Sequence, residues 1–187
     1  MLKNLTLIGL ALLAGCANNA PVSNYETKGN LAAMNPLPCV NATTVNSEST
    51  AADIAAGAKE CVKQSKFGEA AELILVASAY VHFDTQRVSD KSAHGALNAL
   101  FAKEFGSLTE SDRNKLFSSI DVLDNNQARK KEICSYLVSA QPPSYFPNYM
   151  IAHGMGAFTG SSEEPLITNF NVNEAWSKSM VFVKCSS

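Results

Sequence analysis

The feature that most constrains this chain is an apolar period close to 3.6 residues, running from Ala51 nearly to the C-terminus. Ile54, Ala58, Cys61 and Val62 recur at i, i+4, i+7 and i+8, the spacing that gathers side chains on one helix face. Phe67, Ala70, Ala71, Ile74, Ala77, Ser78 and Val81 repeat the pattern in a second segment. Asp90 is placed to cap a third helix through Ala93, Ala96, Leu97, Leu100 and Phe101, with Gly106 as its stop. Thr109-Glu110-Ser111-Asp112 reads as a capping-box-like start for a fourth, using Leu116, Phe117, Ile120 and Leu123. A fifth spans about 127–139, up to Pro142-Pro143. Pro147 suits the first position of a sixth, through Met150, Ile151, Gly154 and Phe158. The last runs from Val172 to about Val183, and its Met180-Val181-Phe182-Val183 end also fits a strand. No alternating run competes elsewhere. The expected class is all-α, with about six to seven helices in one compact domain over 39–187.

Composition agrees with a single domain. The 187 residues are 46% hydrophobic, enough to fill a core. Fifteen Lys+Arg against 17 Asp+Glu leave a net charge of -2, and the longest basic run is Arg129-Lys130-Lys131. The electrostatic footprint for nucleic acid is therefore missing.

The first 16 residues are MLKNLTLIGLALLAGC. Lys3 supplies a positive start, and Leu5 to Ala14 form an apolar run too short for a transmembrane helix, which needs about 20 residues. The run ends in Leu13-Ala14-Gly15-Cys16, which resembles the lipobox of bacterial lipoproteins. That resemblance implies a signal peptide over 1–15 and a diacylglyceryl-modified Cys16 as the mature N-terminus. Ala17 rather than Asp after the cysteine implies sorting to the outer membrane, with the domain facing the periplasm. The covalent lipid on Cys16 is the only prosthetic group expected, and more than one acyl chain makes such anchoring stable. Residues 16–38 are rich in Asn, Ala, Ser, Thr, Gly and Pro and read as a flexible tether, with Tyr25 and Leu31 the residues that could instead pack.

Beyond Cys16 the cysteines are Cys39, Cys61, Cys134 and Cys185. An even number in an exported chain argues for two disulfides, of which three pairings are possible. Cys39–Cys61 and Cys134–Cys185 are favoured. The first would clip the end of the tether to the first helix, and the second would pin the C-terminal element to an interior helix. No CxxC motif or zinc-ligand spacing occurs.

Ile54, Ala58, Cys61, Phe67, Ala70, Ile74 and Ala77 fall at spacings similar to those of a tetratricopeptide-type helical hairpin. The resemblance implies two antiparallel helices packed closely over small residues, with Phe67 at the turn. Gly57 lies one residue earlier than that pattern places its glycine, and no second repeat follows 34 residues on.

The densest polar cluster is His82, Asp84, Arg87, Asp90 and His94, between the second and third helices. Asp90 and His94 stand four apart and would share a helix face. With His153 they could hold a transition metal, since imidazole and carboxylate suit zinc or iron. The reading preferred is structural: Asp90 as a cap, Asp84 and Arg87 as a loop ion pair, and His82 at the polar end of a helix. No metal site or catalytic residue is therefore assigned. No GxSxG or HExxH motif is present.

The segment Pro142 to Met150 combines three prolines with Tyr145, Phe146 and Tyr149. Rigid aromatics make good partner anchors, so these three form a candidate partner surface beside the alternative that they cover the core. Taken together, the sequence favours a lipid-anchored periplasmic protein that binds another protein, as a scaffold or as an immunity-type neutraliser of a toxin. A cell-envelope hydrolase or metal-binding protein using His82, Asp90, His94 and His153 is the alternative. An open polar pocket joining those side chains would favour chemistry, and an apolar groove would favour a partner.

Overall fold

The computed structural model describes residues 27–160 and 164–185. Residues 1–26, with the expected signal peptide and the expected lipidation site Cys16, lie outside the described residues. Within them the chain is all-α. Its helices are α1 (Ala51–Lys63), α2 (Phe67–Arg87), α3 (Ala96–Phe105), α4 (Glu110–Asn125) and α5 (Gln127–Ser139), then α6 (Asn148–Ile151), α7 (Met155–Thr159) and α8 (Val172–Phe182). Two short 3-10 turns, Ala42–Thr44 and Lys91–Gly95, precede α1 and α3. The C-terminal element is helical to Phe182, so its strand alternative falls away.

The fold is organised around α2. Its sequence, FGEAAELILVASAYVHFDTQR, is apolar on nearly every side, and such a helix is stable only when surrounded. Leu73, Val76, Ala77, Ala79, Tyr80, Val81 and Phe83 are all buried. α1 pairs with α2 as an αα-hairpin, in which the buried Ala58, Ala70 and Ala77 keep side-chain bulk low. The Ser65 turn residue, at φ 59°, reverses the chain. Trp176 of α8 packs edge-on against Tyr80 and Phe83, with centroids at 5.6 and 5.9 Å, and donates its indole N–H to the Leu137 carbonyl of α5. An indole buried with its N–H satisfied adds apolar area without a desolvation cost.

Residues 27–38 correct the tether expectation. Leu31 is buried, and its N–H donates to the Tyr149 carbonyl. Asp53 shows why this arm is held. It closes the capping box of α1, with its carboxylate bonded to the Thr50 hydroxyl and N–H, and its second oxygen accepts the Asn35 N–H at 2.7 Å. Leu37 then donates to the Asp53 carbonyl. A Cβ on Gly57 would stand 3.0–3.3 Å from Leu37 and the Pro38 carbonyl, so the glycine answers to the arm crossing α1.

Both favoured disulfides are present. Cys39–Cys61 joins the arm to α1, and Cys134–Cys185 joins α5 to the residues after α8. Between helices, Arg129 of α5 forks onto Glu72 of α2 with two 2.6 Å bonds. Lys59 of α1 meets the buried Glu104 of α3 at 3.2 Å. The basic run Arg129-Lys130-Lys131 is thus partly neutralised, since Lys130 also pairs with Asp124.

Candidate functional site

The five polar residues expected between the second and third helices divide into separate structures. α2 continues two turns past Val81, so Asp84 and Arg87, expected in a loop, are helical, as is His82. Asp84 is fully buried, and so is most of Arg87. A polar stretch ended the apolar pattern in sequence. In the fold, partners from a distant segment make burial of that stretch affordable.

Those partners are the aromatics of the proline-rich segment. Tyr145 and Tyr149 each donate a hydroxyl to Asp84 Oδ2 at 2.7 Å. Arg87 Nε donates to Oδ1 at 2.8 Å, and Nη2 stands 2.6 Å from the same oxygen. The guanidinium lies 5.0 Å from the ring centroids of both Phe83 and Tyr145, between two aromatic faces. Tyr145 also accepts the Ala51 N–H that opens α1. Burial pushes the Asp84 carboxyl upward, opposed by the Arg87 charge and then by the Tyr149 and Tyr145 hydroxyls. Burial likewise raises both tyrosines well above their ordinary value. They stay neutral donors.

This geometry corrects the expectation of a partner surface at Tyr145, Phe146 and Tyr149. Tyr149 is buried, Tyr145 is half-buried with its hydroxyl directed inward, and Phe146 alone is exposed. Pro147 sets φ at -80° just before α6, and the expected sixth helix breaks at Gly154 into α6 and α7.

Gly154 owes its place to Asp90. The Asp90 carboxylate caps the Lys91–Gly95 turn through the Ser92 N–H at 2.9 Å and accepts the Gly156 N–H of α7 at 2.8 Å. Ser92 Oγ in turn accepts the Met155 N–H at 2.7 Å. A methyl group at 154 would collide with this carboxylate. The Ser92 hydroxyl, then the Gly156 N–H, hold Asp90 below the usual carboxylate range. Asp90 therefore fastens α7 to the turn before α3, beyond the capping role expected. Asp90→Ala should cost about 2 kcal/mol, combining the lost cap with the unpaired Gly156 donor, and Asp90→Asn about half that. Thermal melts of the two variants check the order; equal melting of wild type and Asp90→Ala would refute the fastening role.

The histidines do not converge with Asp90. His153 Nδ1 meets Asn30 Oδ1 at 2.9 Å, on the N-terminal arm. His94 Nε2 donates to the Val88 carbonyl at 3.0 Å. His82 stacks on Phe182 with centroids 4.3 Å apart, and its Nδ1 lies 3.1 Å from Ser179 Oγ. Burial lowers its pKa, which favours neutral imidazole. His82 and His94 do line one cleft of about 270 Å³ with Thr85 and Asn98, while Asp90 lines a different one. Among the described residues, no group of three or more His, Cys, Asp or Glu is arranged to hold a metal ion. The alternative His82/Asp90/His94/His153 constellation is not assembled among the described residues.

What the fold does build is an apolar groove. Ile74 of α2, Phe101 and Phe105 of α3, and Leu116, Phe117 and Ile120 of α4 line a volume of about 240 Å³. Leu116 points into the core, whereas Phe117, expected among the inward residues of the fourth helix, is 57% exposed. Sequence reasoning missed the groove because it placed Leu116 and Phe117 together on the inward face, whereas neighbours stand about 100° apart on a helix and here only Leu116 is buried. That adjacency was the available signal. At one end, Arg113 of α4 donates to the Leu108 carbonyl at 3.3 Å, in the turn between α3 and α4.

Comparison with family models, curated proteins and solved structures finds no match for this chain.

Proposed function

We propose that this protein is a lipoprotein of the outer membrane, anchored through Cys16, whose periplasmic domain binds another protein in the groove between α2, α3 and α4. The observation that carries the binding reading is this groove, with three phenylalanines at or near the surface. Exposed aromatic and aliphatic side chains gathered in a concavity are what a partner desolvates most profitably. Asp90 and His153 are engaged away from the cleft that His82 and His94 share, which weakens the hydrolase or metal-binding alternative. The sequence of Lys3, the apolar run and Leu13-Ala14-Gly15-Cys16 supports the anchor. A scaffold and an immunity-type neutraliser both fit such a domain.

The test uses detergent-solubilised membranes and the tagged full chain. Cys16→Ser should leave the membrane fraction or remain unprocessed. A partner captured by the wild type should fall at least tenfold with Phe117→Asp, a surface change that leaves the melting curve in place. Mature, membrane-bound Cys16→Ser protein would overturn the anchor. Identical captured proteins for wild type and Phe117→Asp would overturn the groove.

A further inference from the structure

The groove itself is almost wholly apolar, and one charge stands at its end. Arg113 is its single ionic lining residue, set where the turn Gly106–Leu108 closes one end. Its Nη2 reaches the Leu108 and Gly106 carbonyls at 3.3 and 3.5 Å, and the side chain is otherwise exposed. Among the described residues no carboxylate lies within ion-pair distance of it. The neighbouring cations are differently engaged. Lys115 pairs with Asp112 and lies over the Phe67 ring, and Lys103 donates to the Asn30 and Leu31 carbonyls.

We propose that the groove takes an amphipathic helix about two turns long, presenting two apolar residues at i and i+4 and a carboxylate one turn away that pairs with Arg113. This rests on the protein-binding reading above and names the chemistry of the partner. The length follows from α4. Arg113 and Ile120 stand seven residue steps apart, which at 1.5 Å per step is about 10 Å, or two turns of an apposed helix. A helix laid in a groove reads it through side chains at i, i+3 and i+4. The apolar pair covers Phe101, Phe105 and Phe117. The carboxylate meets a guanidinium that lacks an acidic partner and can offer further N–H donors. Charge at this rim fixes direction, because reversing the helix would place its acid over Ile120.

The experiment titrates two fluorescein-labelled 14-residue peptides into the purified full chain in detergent. Both are Ala-rich helices with Leu at i and i+4; one carries Glu a turn before the first Leu and the other carries Lys there. The Glu peptide should bind the wild type at least tenfold tighter than the Lys peptide. Arg113→Glu should reverse that order, and Phe117→Asp should remove both interactions. Equal binding of the two peptides to wild type and Arg113→Glu, still lost in Phe117→Asp, would overturn the charge assignment while the groove reading stands. Binding of neither peptide would overturn the proposal and leave the groove reading to membrane capture. Sedimentation showing a dimer of the full chain that Phe117→Asp dissolves would assign the groove to a second copy, and would overturn it as well.

Discussion

Asp84→Ala should destabilise the domain by about 3–5 kcal/mol, the largest effect expected of any single side chain here. Its carboxylate accepts two tyrosine hydroxyls and faces the guanidinium of Arg87, all within a buried site. Removing it leaves one charge and two hydroxyls without their acceptor, and the cost of buried unpaired donors dominates over the volume of the lost carboxylate. Arg87→Ala should cost a comparable amount, because the carboxylate is then stranded and the cation–π contacts with Phe83 and Tyr145 are gone. Tyr149→Phe removes one of several donors and should cost only about 1–2 kcal/mol. The double variant Asp84→Ala/Arg87→Ala should be less destabilised than the sum of the singles, as expected for groups sharing one network. Urea unfolding of the wild type and the four variants measures this. Additive single effects, or an Asp84→Ala variant within 1 kcal/mol of wild type, would mean the cluster is not the junction described.

The second large effect concerns the disulfides. Opening Cys134–Cys185, which spans 51 residues, should cost about 4 kcal/mol by the loop-closure relation, and opening Cys39–Cys61, which spans 22, about 3 kcal/mol. The consequences should differ in place as well as size. Without Cys134–Cys185 the residues after α8 lose their tie to α5, whereas Trp176 still bonds the Leu137 carbonyl. Without Cys39–Cys61 the arm keeps Asp53 and Tyr149 as anchors but loses its fixed crossing of α1. Paired Cys→Ser variants followed by amide exchange should show faster exchange at α8 in the first case and at residues 31–37 in the second. Uniform loss of protection in both would contradict these local roles.

Much of this fold was legible because local physics decided it. Asn126 caps α5, which spans the expected Gln127–Ser139, and Thr109 caps α4 through the Asp112 N–H. The cysteine pairing followed from which elements a bridge could usefully join. What was not legible depended on distant partners. The C-terminal turns of α2 looked like a polar loop because nothing near His82-Phe83-Asp84 reveals that Tyr145 and Tyr149, some 60 residues away, complete the burial of Asp84. The arm over 27–38 looked like a tether because its composition is polar. It is held chiefly through backbone hydrogen bonds to Asp53 and Tyr149, which composition does not report. At the candidate sites the same limit applies. Asp90 was recognised as a cap, but its grip on Gly156 across the fold was not visible. The groove arises where side chains of α3 and α4 flank Ile74 of α2, and only Phe117 beside Leu116 hinted at it.

The central claim, that the α2–α3–α4 groove receives a protein partner, is tested most directly by photo-crosslinking in living cells. A benzoyl-phenylalanine at position 117 probes the groove, and one at Val138, exposed on α5, serves as control. The account predicts a discrete adduct with a second protein from position 117, lost when Arg113 is replaced by Glu, and none from position 138. No adduct at 117, or the same adducts at both positions, would contradict it.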